Sequence, residues 1–271
     1  MSPAPYIPWT EAGSPRKPRR QVKFGVSMKT IGLIPSRLNS TRLPSKALLP
    51  IDGLPLIVHT MKRSALASSL DEVYVCTDST AIARVVKEHG GKVLMTGSHH
   101  VNGTERIAEA MKGLKADYVI DIQGDEPLIN PEHIDAVALE HHRHPEWDIL
   151  VPSLPISQPE SPHLVKIVHD ANMRIMFMSR AVIPQAFRQR PPFYLKHLSI
   201  VSFRPQALAR FAALPPSPME TSESVELLRA LENGIPIGTM MLDGSSFSVD
   251  VQDDYVRVQV QMTQDAVRKR Y

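Results

Sequence analysis

Residues 31–57 read IGLIPSRLNSTRLPSKALLPIDGLPLI. The stretch opens as a short apolar strand and breaks into a turn-rich loop that carries Arg37, Arg42 and Lys46. It closes on Asp52-Gly53 and an apolar run that reads as the start of a helix. Strand, loop and helix in that order open a βα unit, and open α/β sheets bind ligands beyond the carboxyl ends of their strands, where this loop falls. Three fixed cations there make a seat for a polyphosphate, Arg with planar two-pronged donors and Lys with a point charge. The common phosphate loops, G-x-x-x-x-G-K-[ST] and G-x-G-x-x-G after a strand, are absent, and no glycine lies between Gly32 and Gly53. Side-chain cations are therefore expected to hold the anion in place of a backbone cradle. A merely solvated basic loop is the alternative.

Working outward, strands alternate with helices through the first half. Strand Thr30–Ile34 leads through the basic loop to a helix over Leu54–Ala67. Strand Glu72–Cys76 precedes a helix over Thr80–His89, which Gly90-Gly91 closes. Strand Lys92–Met95, a helix over Thr104–Lys112 and strand Tyr118–Ile122 follow, and Pro131 opens the next helix. This alternation predicts an α/β fold with a mostly parallel, mixed sheet flanked by helices. The second half is richer in strands: Asp148–Pro155, Val165–His169, Arg174–Met178 and His197–Phe203, with PPFYLK (191–196) read as a loop. Helices return at Pro205–Ala213 and Glu223–Asn233, then strand Ile237–Leu242 and a terminal helix over Asp253–Val267. The expectation is one domain over 29–271 with a β-rich insertion and dimer region over about 148–215.

Composition narrows the classes. Of 271 residues, 42% are hydrophobic and 22% charged, ordinary for a globular protein. No run of eighteen apolar residues predicts a transmembrane helix, and no apolar leader is visible. A single cysteine, Cys76 in an apolar run, reads as a small buried hydrophobe and rules out a disulfide framework. The cytoplasm is the expected compartment. The net charge of +3 is local: residues 1–30 hold Arg16, Lys17, Arg19, Arg20, Lys23 and Lys29 against Glu11, and the rest carries a small acidic excess. A Pro-rich basic arm without interleaved aromatics does not predict nucleic-acid binding, and residues 1–28 read as a disordered extension.

Two acids sit where strands are expected to end: Asp125 in QGDEP after Tyr118–Ile122, and Asp250 in SVDVQDD after Ser246–Val249. Facing a cationic loop, they suggest Mg²⁺, which takes one or two carboxylates and completes its shell with phosphate oxygens and water. A turn role for Asp125 and a helix-start role for Asp250 are the alternatives. His141, His142 and His144 read as a solvated helix end, and His99-His100 as a polar loop. Met173, Met176 and Met178 suit a buried strand.

The chain resembles the 3-deoxy-manno-octulosonate (Kdo) cytidylyltransferases. Its landmarks, in order, are the 31–57 stretch, CTD (76–78), NGTERIAEA (102–110), DIQGDEPLI (121–129), VKIV (165–168), MSRAVIP (178–184), KHLSIVSFR (196–204), SPME (217–220) with ELLR (226–229), and SVDVQDD (248–254). The resemblance implies a nucleotide-diphospho-sugar transferase fold, usually homodimeric. It also implies Mg²⁺-dependent transfer of CMP from CTP to the anomeric hydroxyl of an eight-carbon sugar acid. By motif matching, Arg37, Arg42 and Lys46 hold the triphosphate. Pro35, Ser36, Thr77, Asp78 and Arg106 face the nucleotide, and Gln123 lies between nucleotide and sugar. Asp125 and Asp250 are the metal ligands. Arg180, His197, Glu220, Glu223 and Glu226 serve the sugar acid. The chain departs from the family pattern at Val201, Phe203 and Leu227, where polar residues are usual. These changes fall in segments expected to face the sugar, so an acid other than Kdo is expected to be preferred.

Overall fold

The computed structural model describes residues 28–40 and 42–271. The extension predicted over residues 1–28 therefore lies, but for Met28, outside the described residues. Strand β1 (Thr30–Ser36) is buried along its whole length. It pairs in parallel with β4 (Glu72–Thr77) on one side and β6 (Tyr118–Ile122) on the other. A strand covered on both edges and both faces is mostly apolar, which the Ile31–Pro35 run supplies between Thr30 and Ser36. Between β1 and β4 come a 3₁₀ turn (Lys46–Leu48), a small hairpin of β2 (Pro50–Ile51) and β3 (Leu54–Pro55), and helix α1 (Leu56–Ser64). The hairpin turns on Asp52 (φ 43°) and Gly53 (φ 79°), the Asp-Gly pair that two-residue hairpins favour.

Helix α2 (Thr80–Glu88), strand β5 (Lys92–Met95), α3 (Gly103–Met111) and α4 (Pro131–Arg143) complete the first half. Ser79, Asn102 and Asn130 cap α2, α3 and α4 through their side chains, each accepting a first-turn amide. The second half adds β7 (Ile149–Ile156), β8 (Lys166–His169), β9 (Ile175–Ser179), β10 (Tyr194–His197), β11 (Ile200–Phe203) and β12 (Ile237–Met241). Its helices are α5 (Pro205–Ala213), α6 (Pro218–Glu223), α7 (Leu228–Glu232) and α8 (Gln252–Gln264). All strands but the hairpin join one sheet in the order β5-β4-β1-β6-β11-β7-β10-β8-β9, with β12 parallel to β7. The β-rich stretch thus extends the central sheet with antiparallel strands.

Helices α3, α5 and α7 bury Ile107, Leu208, Phe211 and Leu228 on one face of the sheet. Helices α1, α2 and α4 bury Ile57, Ile82 and Val137 on the other. Each such side chain contributes about 1.5–3 kcal/mol. A third cluster, with Leu43, Ile51, Leu56, Val249, Val258 and Met262, ties α8 back to the hairpin and α1.

Several expectations fail for identifiable reasons. The PPFYLK stretch holds most of β10, because its prolines end at 192, Tyr194 onward pairs with β7, and Leu195 and Lys196 pair also with β8. The single strand expected over His197–Phe203 is therefore two strands that break at Leu198-Ser199. The helix expected over Glu223–Asn233 is broken by Ser224 in a left-handed conformation (φ 51°). Ser246–Val249 forms no strand; it is anchored by one backbone bond, Val249 N–H to the Asp125 carbonyl, 3.0 Å. Within the histidine tract the solvated reading fails for His141, whereas His142 and His144 are partly exposed. His141 is fully buried, bonded to Ser202 Oγ (2.6 Å) and the Trp147 carbonyl (3.0 Å), because the end of α4 packs on the sheet. Of the three methionines Met178 is buried, Met176 is exposed and Met173 sits in a turn at φ 61°.

Candidate active site

A cleft of about 240 Å³ opens at the carboxyl ends of β1 and β6. Its lining includes Pro35, Ser36, Arg37, Arg42, Lys46 and Gln123, with Asp125 and Asp250 at one side and Asn102, Gly103 and Arg106 at the other. Tight backbone approach shapes it. A Cβ on Gly124 would stand 2.6 Å from the Pro35 carbonyl oxygen, and one on Gly103 3.0 Å from Pro35 Cγ. Both glycines let neighbouring segments close on the end of β1.

Charge is concentrated at one end. Lys46 Nζ lies 2.7 Å from Asp125 Oδ2 and 3.4 Å from Asp250 Oδ1. Arg42 reaches Asp250 Oδ1 at 2.9 Å. Two acids 125 positions apart thus meet at one ammonium. The Val249 amide bond to Asp125 fixes the second to the first, and Asp254 receives the Asp250 and Val251 amides at 3.1 and 3.2 Å, which starts α8. Asp250 is thus placed by that bond and the helix start, since the strand predicted before it is absent. Arg37 is exposed on the cleft rim.

Arg106 is buried in the opposite wall. It donates to Thr96 Oγ1 (2.7 Å) and the Gly97 carbonyl (3.2 Å) and pairs with Asp78 Oδ1 at 3.3 Å. Asp78 therefore stands behind Arg106. Thr77 is buried, its hydroxyl accepting the Ser79 amide at 3.1 Å. Beside Gln123, whose amide reaches Asp121 Oδ2 at 3.4 Å, lies a buried group of acids. One oxygen of Asp121 has no hydrogen-bond partner. Burial, and then the charge of Glu226, raise the Asp121 carboxyl well above its usual range; burial also raises Glu226, which accepts from Thr104 Oγ1 at 2.7 Å. Burial and the adjacent Asp125 push Glu126 up to about 7.

Apart from Gln123, the residues assigned to the sugar acid do not line this cleft. The Arg180 guanidinium donates to four carbonyls, those of Glu223 (2.8 Å), Pro162 (3.0 Å), Ser224 (3.0 Å) and His163 (3.4 Å). Glu223 accepts from Ser179 Oγ (2.6 Å) and the Arg180 amide (2.9 Å). Glu220 forms a two-pronged pair with the buried Arg229, at 2.6 and 2.7 Å, and closes the capping box of α6. His197 is half-buried and neutral, its imidazole held down at about 4 by burial. Val201, Phe203 and Leu227 are core residues at 6%, 0% and 3% exposure. Their apolar character answers the core, and none of the three lines the cleft. Sequence reading missed Asn39, Ser40, His100, Asn102, Gly103 and Gly124 in the lining. Asn102 and Gly124 left a signal, as a helix cap and as a glycine directly after a strand.

Fold and cleft together define an α/β protein with a cationic and acidic cleft at the carboxyl ends of its central strands. Residues 31–238 match the family model for cytidylyltransferases. The 3-deoxy-manno-octulosonate cytidylyltransferase of Syntrophobacter fumaroxidans is 40% identical over 248 residues, covering 89% of this chain and 99% of the relative. That of Zea mays is 38% identical over 88% of this chain and 82% of its own length. A solved CMP:2-keto-3-deoxy-manno-octonic acid synthetase, complexed with CTP, superposes with a TM-score of 0.84 at 33% identity. It spans 87% of this chain and 99% of the solved one. The chain belongs to the cytidylyltransferase family, among the 3-deoxy-manno-octulosonate cytidylyltransferases.

Proposed function

We propose that the protein transfers CMP from CTP to the anomeric hydroxyl of Kdo and releases pyrophosphate. The observation that carries this is the meeting of Asp125, Asp250, Arg42 and Lys46 at one end of a cleft at the ends of β1 and β6. The solved relative with CTP supports the choice of nucleotide.

The hydroxyl must approach the α-phosphorus opposite the leaving pyrophosphate, and charge then spreads over the non-bridging and leaving oxygens. Arg37, Arg42 and Lys46 offer fixed positive charge to those oxygens, with little reorganisation needed as the charge moves. Arg106, locked by Asp78, Thr96 and Gly97, gives the nucleoside side a rigid wall. In this reading Gln123, which lines the cleft and reaches Asp121, bonds at the junction of nucleotide and sugar. The donor set fits Mg²⁺: Asp125 and Asp250 supply hard carboxylate oxygens converging on one point, and both would hold it. When bound, Mg²⁺ neutralises phosphate charge and eases loss of the attacking hydroxyl's proton. Arg180 and Glu220 remain packing residues in this reading. A homodimer working in the cytoplasm completes it; no helix among the described residues is long and apolar enough to cross a membrane.

The test is pyrophosphate release with each nucleoside triphosphate across a panel of ulosonic acids, with and without Mg²⁺. The expected result is Mg²⁺-dependent turnover confined to CTP and highest with Kdo. Turnover that prefers another triphosphate, or another acid, would overturn the assignment.

A further inference from the structure

Residues 96–102 carry the chain from β5 to α3, and His100 and Asn102 of this segment line the cleft wall. There His99, His100 and Glu109 each bring one ligand atom within 4.8 Å of the others. The trio is shaped by its surroundings. Glu109, on α3, is aimed by the Gly97 N–H, which donates to both carboxylate oxygens at 3.1 and 3.2 Å. His100 Nε2 bonds Glu109 Oε2 directly. The His99 and His100 rings lie 4.3 Å apart at their centroids. The His99 ring lies over Gly97, where a Cβ would stand 2.4 Å from its Cε1. His99 is exposed, which leaves the group open on one side.

Two imidazoles and one carboxylate form a donor set for borderline divalent ions such as Zn²⁺, whereas Mg²⁺ favours oxygen ligands throughout. A carboxylate already oriented by backbone donors is the outer support such sites use. We propose that His99, His100 and Glu109 bind one divalent transition-metal ion of the zinc class, at a site separate from Asp125 and Asp250. The ion replaces the proton shared by His100 and Glu109, which leaves to solvent. It clips the 96–102 wall of the cleft to α3.

The experiment is titration of the metal-free, full-length protein with Zn²⁺ in excess Mg²⁺, followed by calorimetry, with Co²⁺ absorption as a second readout. One Zn²⁺ per chain is expected. His99→Ala and Glu109→Gln should each weaken it at least about tenfold and erase the Co²⁺ bands, while Asp125→Asn leaves both unchanged. His99 is exposed, so its replacement does not threaten the fold, and Glu109→Gln serves as the second variant. No stoichiometric Zn²⁺, or equal affinity in the wild type and both His99→Ala and Glu109→Gln, would mean a hydrogen-bonded His–Glu pair only. Loss that follows Asp125→Asn would mean that the ion binds at the nucleotide cleft. Either result overturns the proposal, and neither depends on which nucleotide the enzyme uses.

Discussion

Lys46 is the residue on which the two cleft acids meet, so its removal separates several roles. Lys46→Ala is expected to slow CTP turnover by about 2–3 kcal/mol, the range for losing a charge-assisted bond. Asp125→Asn and Asp250→Asn should each abolish Mg²⁺-dependent turnover with near-normal unfolding curves, since both side chains are partly solvated. Unchanged CTP kinetics in Lys46→Ala would return the basic loop to the status of solvated surface. A second residue-scale prediction concerns His141. An ordinary imidazole titrates near 6.5, and burial holds this one at about 4. The unfolded chain therefore takes up a proton below pH 6.5 that the folded chain refuses. Stability should fall as pH drops from 6.5 toward 4, by about 3 kcal/mol from this residue. The raised carboxyls of Asp121 and Glu126 act in the opposite direction, so the informative quantity is the difference between the wild type and His141→Gln. Denaturant unfolding at pH 7.5 and 5 should show a shallower acid loss in the variant; parallel losses would exclude His141 as the cause.

At the scale of elements, the turn after β6 presses on the end of β1 through Gly124. A methyl group there meets the backbone oxygen of Pro35 at 2.6 Å, and backbone yields less readily than a flexible side chain. Gly124→Ala should cost about 1–3 kcal/mol of stability. It should lower kcat more than tenfold, a factor that corresponds to about 1.4 kcal/mol, because Asp125 moves with the turn. A variant with full activity would show that the cleft tolerates a wider β1–β6 turn. Elements with a local code were legible. β1 announced itself as an apolar run, Gly90-Gly91 marked the close of α2 and Pro131 the start of α4. The strand β10 was obscured by two prolines that lie just outside it, and the break between α6 and α7 rests on one left-handed serine.

At the scale of the whole molecule, the C-terminal segment returns across the first βα unit. Arg63 is buried in α1 and pairs with Asp265, while also donating to the Ile129 (2.6 Å) and Leu128 (3.1 Å) carbonyls. Arg268 reaches Asp52 at 2.7 Å, and Tyr271 Oη bonds His59 Nδ1 at 2.8 Å. This return ties the end of α8 to α1 and the β2–β3 hairpin. Asp265→Ala leaves a buried guanidinium without its counter-ion and should cost about 3 kcal/mol in denaturant unfolding. A loss near zero would show that the two carbonyls suffice.

The sequence by itself determined the α/β alternation, the cationic loop after the first strand and the two acids beyond it, because each rests on local periodicity, turn chemistry or residue type. The ordered motifs likewise carried the family. Only the tertiary structure decided which acids face the cleft and which lock the core. Glu220 and Asp125 look alike in a sequence, but Arg229 is buried against the first and Lys46 stands at the cleft beside the second. It also decided that Val201, Phe203 and Leu227 are interior packing residues. Such assignments depend on which distant elements cover a side chain, and no spacing along the chain encodes that.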